Sequence, residues 1–165
     1  MLSSKNASIF SDLGYTLDDI NLDDLSPTYT PKKIDRNMTR HLFIDCPESV
    51  KVWARILFQE KGWRIYVVDQ SRGYCAYRAK LITIPSWVIR KCERTGDIGE
   101  KIWYIAHEMA HAFDTDHSVH GQPFMQWLIR ICPAEYIHHE LGYKPRNAAA
   151  AGIMNPDQDI ELLDL

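Results

Sequence analysis

The stretch Trp103–Phe113, WYIAHEMAHAF, sets His107, Glu108 and His111 in the pattern H-E-x-x-H. In an α-helix, residues four apart lie on one face about 6 Å from each other, so two imidazoles at this spacing can meet a single ion. The surrounding residues favour that conformation. Ile102, Ile105, Met109 and Phe113 recur at the spacing of a buried helical face, and Ala106 and Ala110 leave room around the histidines. Zinc suits imidazole, and a catalytic zinc site takes three protein ligands plus a water whose pKa it lowers toward about 7. Glu108, next to the first histidine, is placed to take the proton of that water and pass it to a leaving amine. The motif therefore predicts His107 and His111 as metal ligands and Glu108 as catalytic base. The bland alternative, two structural histidines and a surface glutamate, is weakened by the further histidines that follow.

Working outward, Thr95, Gly96 and Asp97 mark a break, and Gly96 or Asp97 can cap a helix running from Ile98 to about Phe113. Pro85 opens a shorter segment ahead of it. Between Pro47 and Gly62, the residues Val50, Trp53, Ala54, Leu57 and Phe58 recur at helical spacing. WRIYVVD (63–69) is rich in β-branched and aromatic residues, SRG (71–73) is turn chemistry, and YCAYRAKLITIP (74–85) is a second extended region with a bend expected near Arg78 and Ala79. The expected fold is α+β: a small antiparallel sheet packed on helices, the metal helix below a cleft, and a C-terminal helical part closing it. The strand near Tyr74 to Arg78 is a candidate open edge to which an extended peptide can add.

A third ligand is sought in DTDHSVHGQPF (114–124), which offers His117 and His120. His120 precedes Gly121 and Pro123, where a helix with Phe124, Trp127, Leu128 and Ile131 on one face begins, so it is anchored at a helix entrance. In PAEYIHHELGY (133–143), Glu135 or Glu140 is a more distant candidate. Asp114 and Asp116 are placed to orient a ligand's second ring nitrogen. Tyr136, Tyr143, His138 and His139 are read as packing or surface groups.

Composition bounds the function classes. The chain has 165 residues, 45% hydrophobic and 25% charged, with no apolar run near the roughly 18 residues of a membrane span. No membrane is expected as a partner. Cys46, Cys75, Cys92 and Cys132 lack C-x-x-C spacing, which speaks against a zinc ribbon or a disulfide framework and for reduced thiols. With no basic leader and apolar block at its start, the chain is expected in the cytoplasm. Its net charge of -3 is unevenly distributed: residues 32–94 carry fourteen bases and six acids, and residues 95–165 four bases and eleven acids. A basic middle can face nucleic acid, but opposite charges that face one another across the fold explain it more simply. Residues 1–40 read as an acidic arm or linker, 41–145 as the metal-binding domain and 146–165 as a tail. A binding module in which zinc is purely structural is the alternative from another class.

HEMAHAF followed by HGQPFMQWL resembles the SprT-like zinc metallopeptidases, in which H-E-x-x-H is completed by a histidine in an H-G-x-x-F block opening the next helix. GYCAYRAKLITIP is similar to the family's strand region, so the likeness spans roughly 47–132. It implies a minimal zincin fold, Zn2+ held by His107, His111 and His120, Glu108 as the base, and a protein or peptide substrate. The family is associated with proteolysis, including of proteins on DNA. Larger members engage DNA with a C-terminal cysteine zinc module, which this chain lacks. A second resemblance, to metzincins, selects His117 instead, with Asp114 where that pattern has a glycine and Met154 downstream as a Met-turn counterpart.

Overall fold

Leu81–Pro85, LITIP, is buried at every position and is the central strand of a three-stranded sheet. The computed structural model describes residues 33–154 and makes them an α+β domain. In chain order the elements are α1 (Arg36–Arg40), α2 (Glu48–Arg55), continued by a wider π-helical turn (Ile56–Glu60), β1 (Arg64–Val68), β2 (Tyr74–Ala76) and β3 (Leu81–Pro85). There follow α3 (Ser86–Thr95), α4 (Ile98–Phe113), α5 (Gln122–Ile131), a 3-10 turn (Ala134–Tyr136), α6 (His139–Tyr143) and α7 (Pro145–Ala150).

The sheet is mixed, which corrects the expectation of an antiparallel one. β2 and β3 form an antiparallel hairpin bent at Tyr77–Lys80, where the bend was expected, but β3 inserts between β2 and β1 and runs parallel to β1. Burial explains the order. β3 is buried throughout and takes the centre, whereas Tyr74 on β2 is half exposed and stays at the edge.

α4 is the long central helix, and its boundaries follow from local chemistry. Gly96 adopts a left-handed φ of 74° that ends α3, and Asp97 then caps α4 by accepting from the Gly99 N–H at 2.9 Å. Ile102, Ile105, Ala106, Met109, Ala110 and Phe113 are all buried, joined by Phe124, Leu128 and Ile131 from α5 and by Val50, Ala54 and Leu57 from α2 and its extension. The expected apolar faces are thus the real ones.

The domain boundaries need widening at both ends. Ile34 bridges Val68, the Asp35 carboxylate caps α1, and the Thr39 hydroxyl accepts from the Val67 N–H at 2.9 Å, so residues 34–40 belong to the folded unit, not to an arm. Ala148 and Ile153 are buried, which brings the start of the expected tail into the core as well. Residues 1–32 of the expected arm and 155–165 of the expected tail lie outside the described residues. Among the described residues, no helix is long and apolar enough to cross a membrane, and all four cysteines are free thiols.

Candidate metal centre

His107 and His111 leave α4 on one face, and His120 arrives from the turn before α5. Their ligating nitrogens all lie within 4.8 Å of one another, close enough to hold a metal ion. The Nε2 atom of His120 stands 3.1 Å from Nε2 of His111 and 3.1 Å from Nε2 of His107. Two nitrogens bound at about 2.05 Å to one tetrahedral ion are about 3.3 Å apart, so the spacing fits a shared metal. Burial lowers His111 to about 3 and His120 to about 4, with the His107 ring adding to both, so both present neutral, metal-ready imidazoles.

His120 is held by a turn with little regular backbone. His117, Val119 and His120 all have positive φ, at 50°, 47° and 67°. Left-handed backbone of this kind persists only where surroundings over-determine it. Here the determinants are polar. The buried Asp114 carboxylate accepts from the N–H groups of Asp116 and Ser118 and from the Ser118 hydroxyl, and Asn147 Nδ2 donates to the His120 carbonyl at 2.7 Å. A Cβ on Gly121 would come within 2.9 Å of the Ser118 side chain. Asp114 therefore folds the turn in place of orienting a ligand ring, and Asp116 is exposed. Asp114 itself has φ -75°, so the helix exit requires no glycine there.

The other candidates fall outside the cluster. His117 is exposed and packs edge-on against Tyr77 at 3.9 Å between ring centroids. Met154 is exposed, and so is Glu135. Glu140 is fully buried but approaches from behind: its Oε2 accepts from His107 Nδ1 at 2.9 Å, the nitrogen facing away from the cluster. Since a carboxylate only accepts, His107 carries its proton on Nδ1 and offers the Nε2 lone pair to the other two rings. Trp103, one turn earlier on α4, donates its indole N–H to the same oxygen at 2.9 Å.

Glu108 is buried between α4 and the start of β2. Burial, and secondarily the charge of Glu140, raises its carboxyl to about 8; a divalent cation held by the histidine cluster would oppose that shift. Gly73 makes the contact possible, because a Cβ there would lie 2.5 Å from Glu108 Oε1 and 2.9 Å from the Thr83 carbonyl. The Gly73 N–H donates to the Tyr104 hydroxyl at 2.9 Å, tying the strand entry to α4. A cavity of about 630 Å³ opens beside this junction, lined by Arg72, Trp87, Trp103, Tyr104, Tyr143 and Lys144 among others. The Tyr143 ring stands perpendicular to His107 with centroids 5.1 Å apart and is half exposed at the rim.

Gly73, Trp103 and Asn147 were not singled out from sequence. Gly73 had a signal in its place between turn chemistry and a strand, but Trp103 and Asn147 are read only through contacts across the fold. Comparison with family models, with curated proteins and with solved structures finds no match to this chain.

Proposed function

We propose that this chain is a zinc-dependent endopeptidase of the SprT-like kind, with His107, His111 and His120 as metal ligands and Glu108 as general base. The observation that carries this reading is the convergence of three histidine nitrogens, two of them from α4, the helix that also buries Glu108 next to His107. Three histidines leave a position for a reacting group, whereas structural zinc sites are closed by four ligands, which weighs against the binding module. The presence of the H-G-x-x-F histidine in the cluster, with His117 outside it, favours the SprT-like assignment over the metzincin-like one.

When bound, zinc supplies Lewis acidity that polarises a peptide carbonyl and acidifies water. Glu108 takes the proton of the attacking water and delivers it to the departing nitrogen. β2 has β3 on one side and no strand on the other among the described residues, so an extended substrate can add along it. A peptide added there would lie beside Gly73, whose backbone faces Glu108. Free thiols at all four cysteines support action in a reducing compartment.

The test is zinc content and peptide cleavage for wild type and Glu108→Gln. The expected result is about one zinc per chain in both and turnover only in wild type. Wild-type protein that is folded and takes up no zinc would sink the reading.

A further inference from the structure

Glu140 has no exposed surface and lies 33 positions along the chain from His107, brought there by the 3-10 turn and α6. Its two oxygens are used unequally. Oε2 receives both the His107 and the Trp103 N–H, while Oε1 has no hydrogen-bond partner. A carboxylate buried to this degree needs compensating positive charge, and two neutral donors on one oxygen supply little. Among the described residues no lysine or arginine forms an ion pair with it, and the one basic ring in contact with it, His107, is in the neutral Nδ1–H form.

The missing positive charge has one natural place. A cation held at His107 Nε2 would polarise the ring, strengthen the Nδ1–H bond to Glu140, and be partly neutralised by that carboxylate through the imidazole. Building on the proposed metal centre, we infer that Glu140 is a positioning residue: its hydrogen bond locks His107 in the Nδ1–H form, and its charge, not only its shape, sets how tightly the three histidines bind a divalent metal. Trp103 fixes the carboxylate by donating to the same oxygen, so the order Trp103, Glu140, His107 runs from scaffold to ligand. Glu140 therefore acts on the metal through His107, as a backing group and not as a third ligand.

The decisive measurement is the zinc dissociation constant of the full chain, by competition with a chromophoric chelator, for wild type and Glu140→Gln. Glutamine keeps the size and loses the charge. We expect affinity to fall about 10- to 100-fold, with metal-free Glu140→Gln still giving a cooperative melt. Binding within threefold of wild type would overturn the inference and leave the metal centre standing, whereas wild type that binds no zinc would fail the metal centre itself. Should Glu140→Gln not fold, nitrogen-detected NMR of zinc-loaded wild type decides. A slowly exchanging proton on His107 Nδ1 with the metal on Nε2 supports the role, and metal on Nδ1 or a freely exchanging Nδ1 proton overturns it.

Discussion

α4 and the turn at 114–121 each bring histidine to the same point, by opposite means. α4 uses a regular backbone: sixteen helical residues place His107 and His111 one turn apart, and the apolar stripe that buries the helix also fixes where the rings point. The turn uses left-handed residues braced by side chains, with Asp114 gathering the N–H groups and Asn147 gripping the His120 carbonyl from α7. Two of the three clustered histidines thus come from periodicity, and the third depends on polar contacts made elsewhere in the chain. Damage to the two halves should therefore differ in kind.

The largest effect is expected on the helix. His107→Ala or His111→Ala should reduce zinc from about one per chain to near none and abolish any zinc-dependent rise in Tm, as measured by elemental analysis and calorimetry, because two histidines alone bind weakly. His117→Ala should leave both unchanged, since that ring touches Tyr77 and not the cluster. Zinc loss in His117→Ala would reverse the assignment of the third ligand.

Next in size comes Gly73→Ala, which separates catalysis from metal binding. The new Cβ would meet Glu108 Oε1 and the Thr83 backbone, and the side chain of Glu108 is the softer of the two. A displaced base costs rate without removing a ligand. Turnover is expected to fall about tenfold to a hundredfold with zinc content unchanged. Equal activity in the variant would mean that Glu108 does not work from the position it holds against β2.

The turn should break by instability. Asp114→Ala removes the acceptor for two backbone N–H groups and a hydroxyl in a buried setting, a loss of about 2–3 kcal/mol, or about 10 °C in Tm. Zinc affinity should fall with it, because His120 loses its frame. A variant that melts earlier yet binds zinc as tightly would show that α5 and Asn147 suffice to place His120.

The same contrast explains what could be read from the sequence. α4, its Asp97 cap, the bend before β3 and the apolar faces of α2 and α5 follow from periodicity and turn chemistry, which are local. The parallel pairing of β1 with β3 does not, because it depends on which strand is buried deepest once the hairpin docks. The domain boundaries were misplaced for a related reason: the contacts of Ile34 with Val68 and of Thr39 with Val67 span about thirty positions and leave no periodic trace. At the site, His107, Glu108 and His111 were legible as a pattern. His120 was legible only as a histidine at a helix entrance, and Glu140 only as an acid near the metal, because its contact is with the far nitrogen of a ring.

Val119 gives the finest test of whether strain in the turn matters. It is a β-branched residue at φ 47°, a conformation that costs an L-residue roughly 1–2 kcal/mol, and the residue is 75% exposed. Glycine at that position would relieve the strain but lose roughly 0.5–1 kcal/mol through the freedom it gains in the unfolded chain. Val119→Gly should therefore raise Tm by no more than about 4 °C and leave zinc affinity unchanged. Both outcomes are expected only if Asp114 and Asn147 define the turn, since then the backbone is held where it is whichever residue occupies it. A weaker zinc site at unchanged Tm would instead show that the stiffness of valine helps hold the next residue, His120, against the cluster, and that the third ligand is set by backbone restriction as well as by the polar brace.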